Sequence, residues 1–384
     1  MAKKWSSRLT FFAFVVLMVG LGSNDSLRGI FSTIFQEHFS LTTTQLGLIV
    51  TASYIGNLVF LLVGGNLSTR FSKKRVLQVL ILIWMAALAL FAFTSNYTVL
   101  LIGMALALGS STLLNTTMNL ITPLLFATAP GFFVNFLFFT QEIGTSGSQY
   151  ILGSHADGFA FWQHTNLVLL ILGAVAFVLL LFCNVPEEAA APADAPAQKG
   201  GYDWRIIVPY VLVFGFYFIA EHGVMNWMVA YGVDGLGLPQ ASAAKYLSVF
   251  FGGMMIGRLC LSPLVDKLGA LKSLAAFGGV SCVLYLIGSL GGAVTMPVWA
   301  ISGLSFSILY PTLVMSIRLY FPAQQVSGAA GTILSIASLA DILFNVGFGK
   351  LVDMTGYAVS IRVLPLSALA FFIVFIPVSY THLT

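Results

Sequence analysis

The chain has 384 residues, of which 58% are hydrophobic and only 8% charged, with a mean hydropathy of +0.96. Soluble domains carry roughly a quarter charged residues, so this composition excludes a soluble globular enzyme. A net charge of +4 points to no nucleic-acid partner and matters only through where the cations lie.

In chain order, apolar periodic segments broken by Gly, Pro and polar clusters predict helices near 9–36, 43–69, 76–94, 98–124, 132–153 and 162–183. A second set follows near 205–231, 243–265, 272–291, 296–319, 327–351 and 359–380. At about 24 residues per span, twelve spans use about 288 residues and leave about 96 for loops and ends. The expected fold is therefore an all-α polytopic membrane protein with twelve transmembrane helices. A membrane barrel would show short alternating segments instead. Between the sets, NVPEEAAAPADAPAQKGGYDW (184–204) has no apolar face and reads as a cytoplasmic linker between an N-terminal half, 1–183, and a C-terminal half, 205–384. Met1–Arg8 is basic and precedes an apolar stretch, but that stretch is too long for a signal peptide and reads as an uncleaved first helix. Tyr310-Pro311 predicts a kink in the tenth helix.

The Lys/Arg distribution sets the expected orientation. With the N-terminus inside, the cytoplasmic segments hold Lys3, Lys4, Arg8, Arg70, Lys73, Lys74, Arg75, Lys199, Arg205, Lys267, Lys272 and Arg318, and the outer ones only Lys245, Lys350 and Arg362. Both termini are accordingly expected in the cytoplasm, with the protein in the cell (inner) membrane. The halves also repeat. GGNLSTRFSKKRVL (64–77) lies 197 residues before LSPLVDKLGALKSL (261–274), GSHAD (153–157) lies 196 before GKLVD (349–353), and the same 196 lays Asp25 onto Glu221. Near-constant offsets predict duplicated, pseudo-symmetric six-helix halves, an architecture of secondary transporters.

Four of the thirteen acids, Asp25, Glu142, Glu221 and Asp341, fall near predicted helix centres. Each costs about 2.5–3.5 kcal/mol at mid-membrane unless paired, hydrated or protonated. They are candidates for proton coupling, against the alternative of structural ion pairs or helix–helix hydrogen bonds. Arg28 follows Asp25 by three residues, suited to neutralising it, to holding a hydroxyl-rich or anionic substrate, or to a permanent pair. Arg258, with Asp266 in the adjoining loop, suits gating or structural pairing. Polar stripes at i, i+4 spacing run through Asn115/Asn119, Gln141/Thr145/Gln149, His222/Asn226 and Asp341/Asn345. Amides both donate and accept, as a polyhydroxylated solute requires, so Asn115, Asn119, Gln141, Asn226 and Asn345 are candidate substrate contacts. Trp227 either stacks on a sugar ring or packs between helices.

Soluble-enzyme signals are missing: there is no HExxH, Cys-x-x-Cys, GxxxxGK[ST] or nucleophile elbow. Cys183, Cys260 and Cys282 lie in apolar segments at no metal or redox spacing. No cofactor and no metal are expected.

The basic loop after the second helix, with its partner LVDKLGALK, resembles the signature of the major facilitator superfamily. More closely, NDSLRGIFSTIFQEHFSLTTTQLGLIVTASYIGN, NYTVLLIGMALALGSS, MIGRLCLSPLVD and SFSILYPTLVMSIR resemble the fucose–galactose–glucose proton symporter family, in order from about residue 9 to 376. The resemblance implies proton-coupled sugar transport. Anchored on FSLTTTQLGL, the family's first-helix aspartate falls near Gly29, one turn after Asp25, and the fourth-helix glutamate of the fucose permeases falls at about Asn115. The first basic loop shows Ser68-Thr69 where the signature has an aspartate.

The expected function is secondary active transport of a small polar solute, a sugar or polyol, by proton-coupled alternating access. The solute, protons and the lipid bilayer are the partners, and the protein is expected to be a monomer. The alternatives are efflux of an amphipathic drug or metabolite and a non-transporting membrane receptor or scaffold.

Overall fold

A computed structural model describes residues 2–126, 130–186, 203–321 and 326–380, with side chains omitted at 2–6, 63–70, 130–132, 135, 266, 327 and 377–380. Asp266, expected in a loop, lies in a helix with its side chain omitted, and most of the linker lies outside the described residues. The described chain is helical: α1 (Ala2–Ile30), α2 (Ser32–His38), α3 (Thr43–Arg70), α4 (Lys73–Phe93), α5 (Tyr97–Leu125), α6 (Pro130–Ile151), α7 (Phe159–Phe182), α8 (Trp204–Ala230), α9 (Gln240–Leu268) and α10 (Ala270–Leu290). The short α11 (Met296–Ile301), α12 (Gly303–Phe306) and α13 (Leu309–Ser316) follow, then α14 (Val326–Thr355), α15 (Tyr357–Ser360) and α16 (Val363–Tyr380). Eleven segments among the described residues are long and apolar enough to cross a membrane, with α11–α13 and α15–α16 each forming one. The 22-residue α6 is the remaining long helix.

Local chemistry sets the helix starts. Asn96 accepts from the Thr98 and Val99 amides to open α5, and Asp203 accepts from the Arg205 amide to open α8. At α3, Thr42 and Gln45 form a reciprocal capping box: the Thr42 amide donates to Gln45 Oε1 and the Gln45 amide to Thr42 Oγ1. The tenth predicted helix is broken at Ser302 and again at Ser307–Ile308. Pro311 explains the second break: it has no N–H to give to the carbonyl four residues back, that of Ser307, and its ring crowds that carbonyl.

The chain packs as two compact units. The first comprises residues 1–27, 52–147 and 157–200, the second 28–51, 148–156 and 201–384, so α1, α3 and α6 each continue from one unit into the other. In the first unit α4 packs on α5 and α7 around the fully buried Trp84, with Phe91 and Phe159 5.2 and 5.0 Å from the Trp162 ring. In the second, α8 lies against α14 and α16, and α9 against α11 and α12. Its core is aromatic: Phe306 stacks between Tyr217 and Tyr285 at 5.0 and 5.2 Å. Leu62, Phe93, Val168, Ile171, Phe182 and Leu343 are exposed, the side chains a hydrocarbon solvent would cover.

Candidate functional site

The first unit gathers polar side chains from α1, α5 and α6. On α5, Asn119 Nδ2 donates to Asn115 Oδ1 at 2.6 Å, and Asn115 Nδ2 donates onward to Gln141 Oε1 on α6 at 2.7 Å. One turn before Asn115, the Ser111 hydroxyl donates to the Asp25 carboxylate of α1 at 3.4 Å. The Thr145 hydroxyl, one turn after Gln141, reaches the Gly22 carbonyl at 3.2 Å and fastens α6 to α1. Asp25, Asn115, Gln141 and Glu142 are all half-buried, and the buried Asn119 Oδ1 accepts no hydrogen bond. The amide row thus keeps unused hydrogen-bonding capacity in a membrane-embedded setting, where an unpaired polar atom is costly. The structure bonds three predicted residues of this unit, Asn115, Asn119 and Gln141, to one another and sets Asp25 one turn away through Ser111. An apolar groove of about 590 Å³ lined by Val59, Phe60, Arg75, Val79 and Leu113 contains none of them.

The second unit contributes Arg28, Glu221, Asn226, Trp227, Arg258, Asp341 and Asn345. Arg28 is 6% exposed, and the next residue, Gly29, lies hard against the Met225 carbonyl of α8. Asp25 and Arg28, three residues apart on one helix, fall in different units. Glu221 exerts its charge on Tyr217, Tyr285 and Tyr310, and Arg258 on Tyr217 and Tyr310.

Two rungs join α8 to α14. His222 Nδ1 meets Asp341 Oδ2 at 2.7 Å, and Trp227 Nε1 donates to Asn345 Oδ1 at 2.8 Å. Asn345 Nδ2 donates back to the Asp341 carbonyl at 2.7 Å, which holds the amide in the orientation the indole needs. Trp227 is completely buried, its ring 4.8 Å from that of Phe348. Further along α14, Gly349 and Asp353 meet α3. A Cβ on Gly349 would stand 2.4 Å from the Thr43 carbonyl, and one on Gly47 would stand 2.4 Å from the Asn345 carbonyl. Asp353 Oδ1 accepts from the Thr43 amide at 2.8 Å, and Oδ2 from the Thr44 amide at 2.7 Å and the Thr44 hydroxyl at 2.5 Å.

Residue-type reasoning placed Asp341 and Asn345 on one stripe and His222 and Asn226 on another, but it left three features unread. The partner of Asp341 is His222. The second rung uses Trp227 rather than Asn226. Asp353, just beyond the helix predicted near 327–351, caps a different helix. The signals available were the equal i, i+4 spacing of the two stripes and a threonine-rich start to α3 with no acid in its own first turn.

The Major Facilitator Superfamily model matches residues 10–344. The L-fucose-proton symporter of Escherichia coli (strain K12) is 24% identical over 333 residues, 75% of each chain. The glucose/galactose transporter of Brucella abortus biovar 1 (strain 9-941) is 27% identical over 344 residues, 83% of this chain and 81% of its own. Among solved structures, a mutant of the nucleoside transporter NupG superposes with a TM-score of 0.78 at 12% identity, covering 98% of this chain and 99% of that one. A family match over most of the length and a superposition over nearly all of it lead to one conclusion: this multi-pass membrane protein belongs to the Major Facilitator Superfamily.

Proposed function

We propose that the protein is a proton-coupled transporter of a small polar solute of the sugar class. It would work by alternating access of two duplicated six-helix halves, 1–183 and 205–384, joined by the 184–204 linker, with both termini in the cytoplasm of a cell whose inner membrane it spans. One observation carries this reading: the continuous amide row Asn119–Asn115–Gln141, with the Asp25 carboxylate one turn away through Ser111. Such a row can trade its internal hydrogen bonds for those of a polyol and leave no polar atom unpaired, whereas an amphipathic drug could not repay them. The names of the similar transporters support the sugar class and the proton. Arg28, Asn226, Trp227 and Asn345 are the proposed solute contacts of the second unit. Trp227 and Asn345 bond to one another here, so they would meet solute only when that rung opens. Asp25 and Glu221 are the proposed proton carriers, with Glu142 and Asp341 as further ionisable groups. Arg258 and Asp266 are proposed to gate.

The test is uptake into proteoliposomes with an imposed proton gradient and a panel of sugars, nucleosides and drugs. Sugar counterflow without a gradient is expected in the wild type and in Asp25→Asn and Glu221→Gln, while gradient-driven accumulation is lost in both variants. Drug flux without any sugar flux would replace this reading with efflux. No solute flux at all would favour a receptor or scaffold.

A further inference from the structure

His222 received no role in the sequence reading beyond membership of a polar stripe, yet it is bonded to the most deeply buried of the four intramembrane acids. Asp341 is 2% exposed, and its Oδ1 is buried without a hydrogen-bond partner. His222 keeps a quarter of its side-chain surface open, with its ring lying parallel to that of Phe218 at 5.3 Å. The imidazole is thus the more open partner of the pair and the carboxylate the enclosed one. We propose that His222 and Asp341 form a proton-binding pair, and that α14 carries the change in its charge to the Asp353 cap on α3. This rests on the proton-coupled reading above.

The proton count supports the assignment. With Asp341 as the carboxylate, which only accepts, the Nδ1–H of His222 donates to its Oδ2. A proton arriving from water bonds to Nε2 and makes an imidazolium–carboxylate pair of net charge zero. Its departure from Nε2 leaves a neutral imidazole beside a carboxylate of charge −1, with one oxygen unsatisfied and little water in reach. A buried net charge of this kind is strongly disfavoured. The proton-free pair is thus driven to open toward water or toward a cation, whereas the protonated pair can stay closed.

The surrounding charges frame this choice. Arg28 at the end of α1 and Glu221, beside His222 on α8, both act on His222, with opposite sign. From α9, Arg258 acts on Tyr217 and on Tyr310 of α13, which with Tyr285 of α10 surround Glu221. Glu37 and His38 of α2 are exposed, and α16 brings no ionisable side chain among its described residues.

Transmission follows from spacing. Asp341, Asn345, Gly349 and Asp353 recur every four residues, each turned about 40° from the last, so the row winds from the α8 side of α14 to its α3 side. Along that winding row lie, in turn, the His222 pair, the Trp227 rung, the backbone contact with α3 and the α3 cap. Opening at Asp341 strains the Asn345 rung one turn away, because Asn345 Nδ2 is bonded to the Asp341 carbonyl itself.

Histidine-labelled protein in lipid nanodiscs, titrated by 15N NMR, tests the binding step, with His222→Gln identifying the resonance. The expected result is titration of His222 between pH 5 and 9, with a midpoint that moves by more than one pH unit in Asp341→Asn. Proteoliposome assays with D-glucose, D-galactose and L-fucose test coupling. His222→Gln and Asp341→Asn should retain counterflow and lose at least ten-fold in gradient-driven accumulation, whereas Glu37→Gln stays within two-fold of wild type. A His222 resonance that does not titrate in this range, or that ignores Asp341→Asn, overturns the proposal, as does His222→Gln accumulating sugar normally. If His222→Gln does not fold, the wild-type and Asp341→Asn titrations still decide, with the resonance assigned through His222→Asn. Wild type that moves none of the three sugars would remove the sugar reading, and the titration alone would then judge the pair.

Discussion

Asp353 of α14 holds the first turn of α3 through Thr44, accepting from both its amide at 2.7 Å and its hydroxyl at 2.5 Å. The Thr43 amide takes the other carboxylate oxygen, and the Thr42–Gln45 box takes a further amide of the same turn. The donors that a helix start leaves unpaired are thus shared between its own sequence and a residue over three hundred positions away. Asp353→Ala should destabilise the purified protein by about 1 kcal/mol, as loss of a helix cap does. Asp353→Asn keeps an acceptor oxygen and should cost less. Chemical denaturation in detergent micelles checks the order wild type, Asn, Ala, and an Ala variant as stable as wild type would contradict it.

Gly47 and Gly349 should be intolerant of any side chain, since each would drive a Cβ to 2.4 Å from a carbonyl oxygen of the opposing helix. Gly47→Ala and Gly349→Ala are expected to lower the melting temperature and to weaken transport together. Gly347, on the same helix with open space around its Cα, supplies the contrast. Gly347→Ala should be neutral or should stabilise by about 0.5–1 kcal/mol through helix propensity. Fluorescence-detected thermal shift on the three variants separates close approach from a general need for glycine.

Asn345→Leu leaves the Trp227 indole N–H buried without an acceptor, at a cost of about 1–3 kcal/mol. Trp227→Phe removes the donor. In the double variant the two losses should sum to less than the single costs, because no polar atom is then stranded. Strict additivity in a double-mutant cycle would show that the rung contributes nothing of its own.

The amide row predicts a graded transport defect. Asn115→Leu removes its centre and strands Gln141 Oε1 and the Asn119 amide, so uptake of a transported sugar should fall at least ten-fold. The neighbouring Thr116 is exposed and bonds only its own helix, so Thr116→Ala should stay within two-fold of wild type. Uptake measured against sugar concentration should assign the Asn115 loss to a raised KM, the signature of the proposed solute contact.

Much of the architecture was legible in the residues alone. Runs of about twenty apolar residues must be satisfied internally when water is absent, and the helix is the form a single segment can take to do so. Length and composition therefore fixed the number and approximate bounds of the helices, and the missing amide of Pro311 announced a break in the tenth. The expense of charge in hydrocarbon likewise marks Asp25, Glu142, Glu221 and Asp341 as unusual from their positions in the chain alone.

Partners were another matter. A helical stripe tells which side chains share a face, but not which face of which other helix will meet it, because that depends on rotation and crossing geometry set by packing over many residues. Only the tertiary structure decided that Asp341 bonds His222, that Asn345 takes the Trp227 indole rather than lying free for solute, and that Asp353 belongs to the start of α3. The sequence by itself determined that charge would be scarce and placed with purpose. Packing decided which groups neutralise it, since a hydrogen bond spanning 119 positions of chain exists only where two helices bring their backbones together.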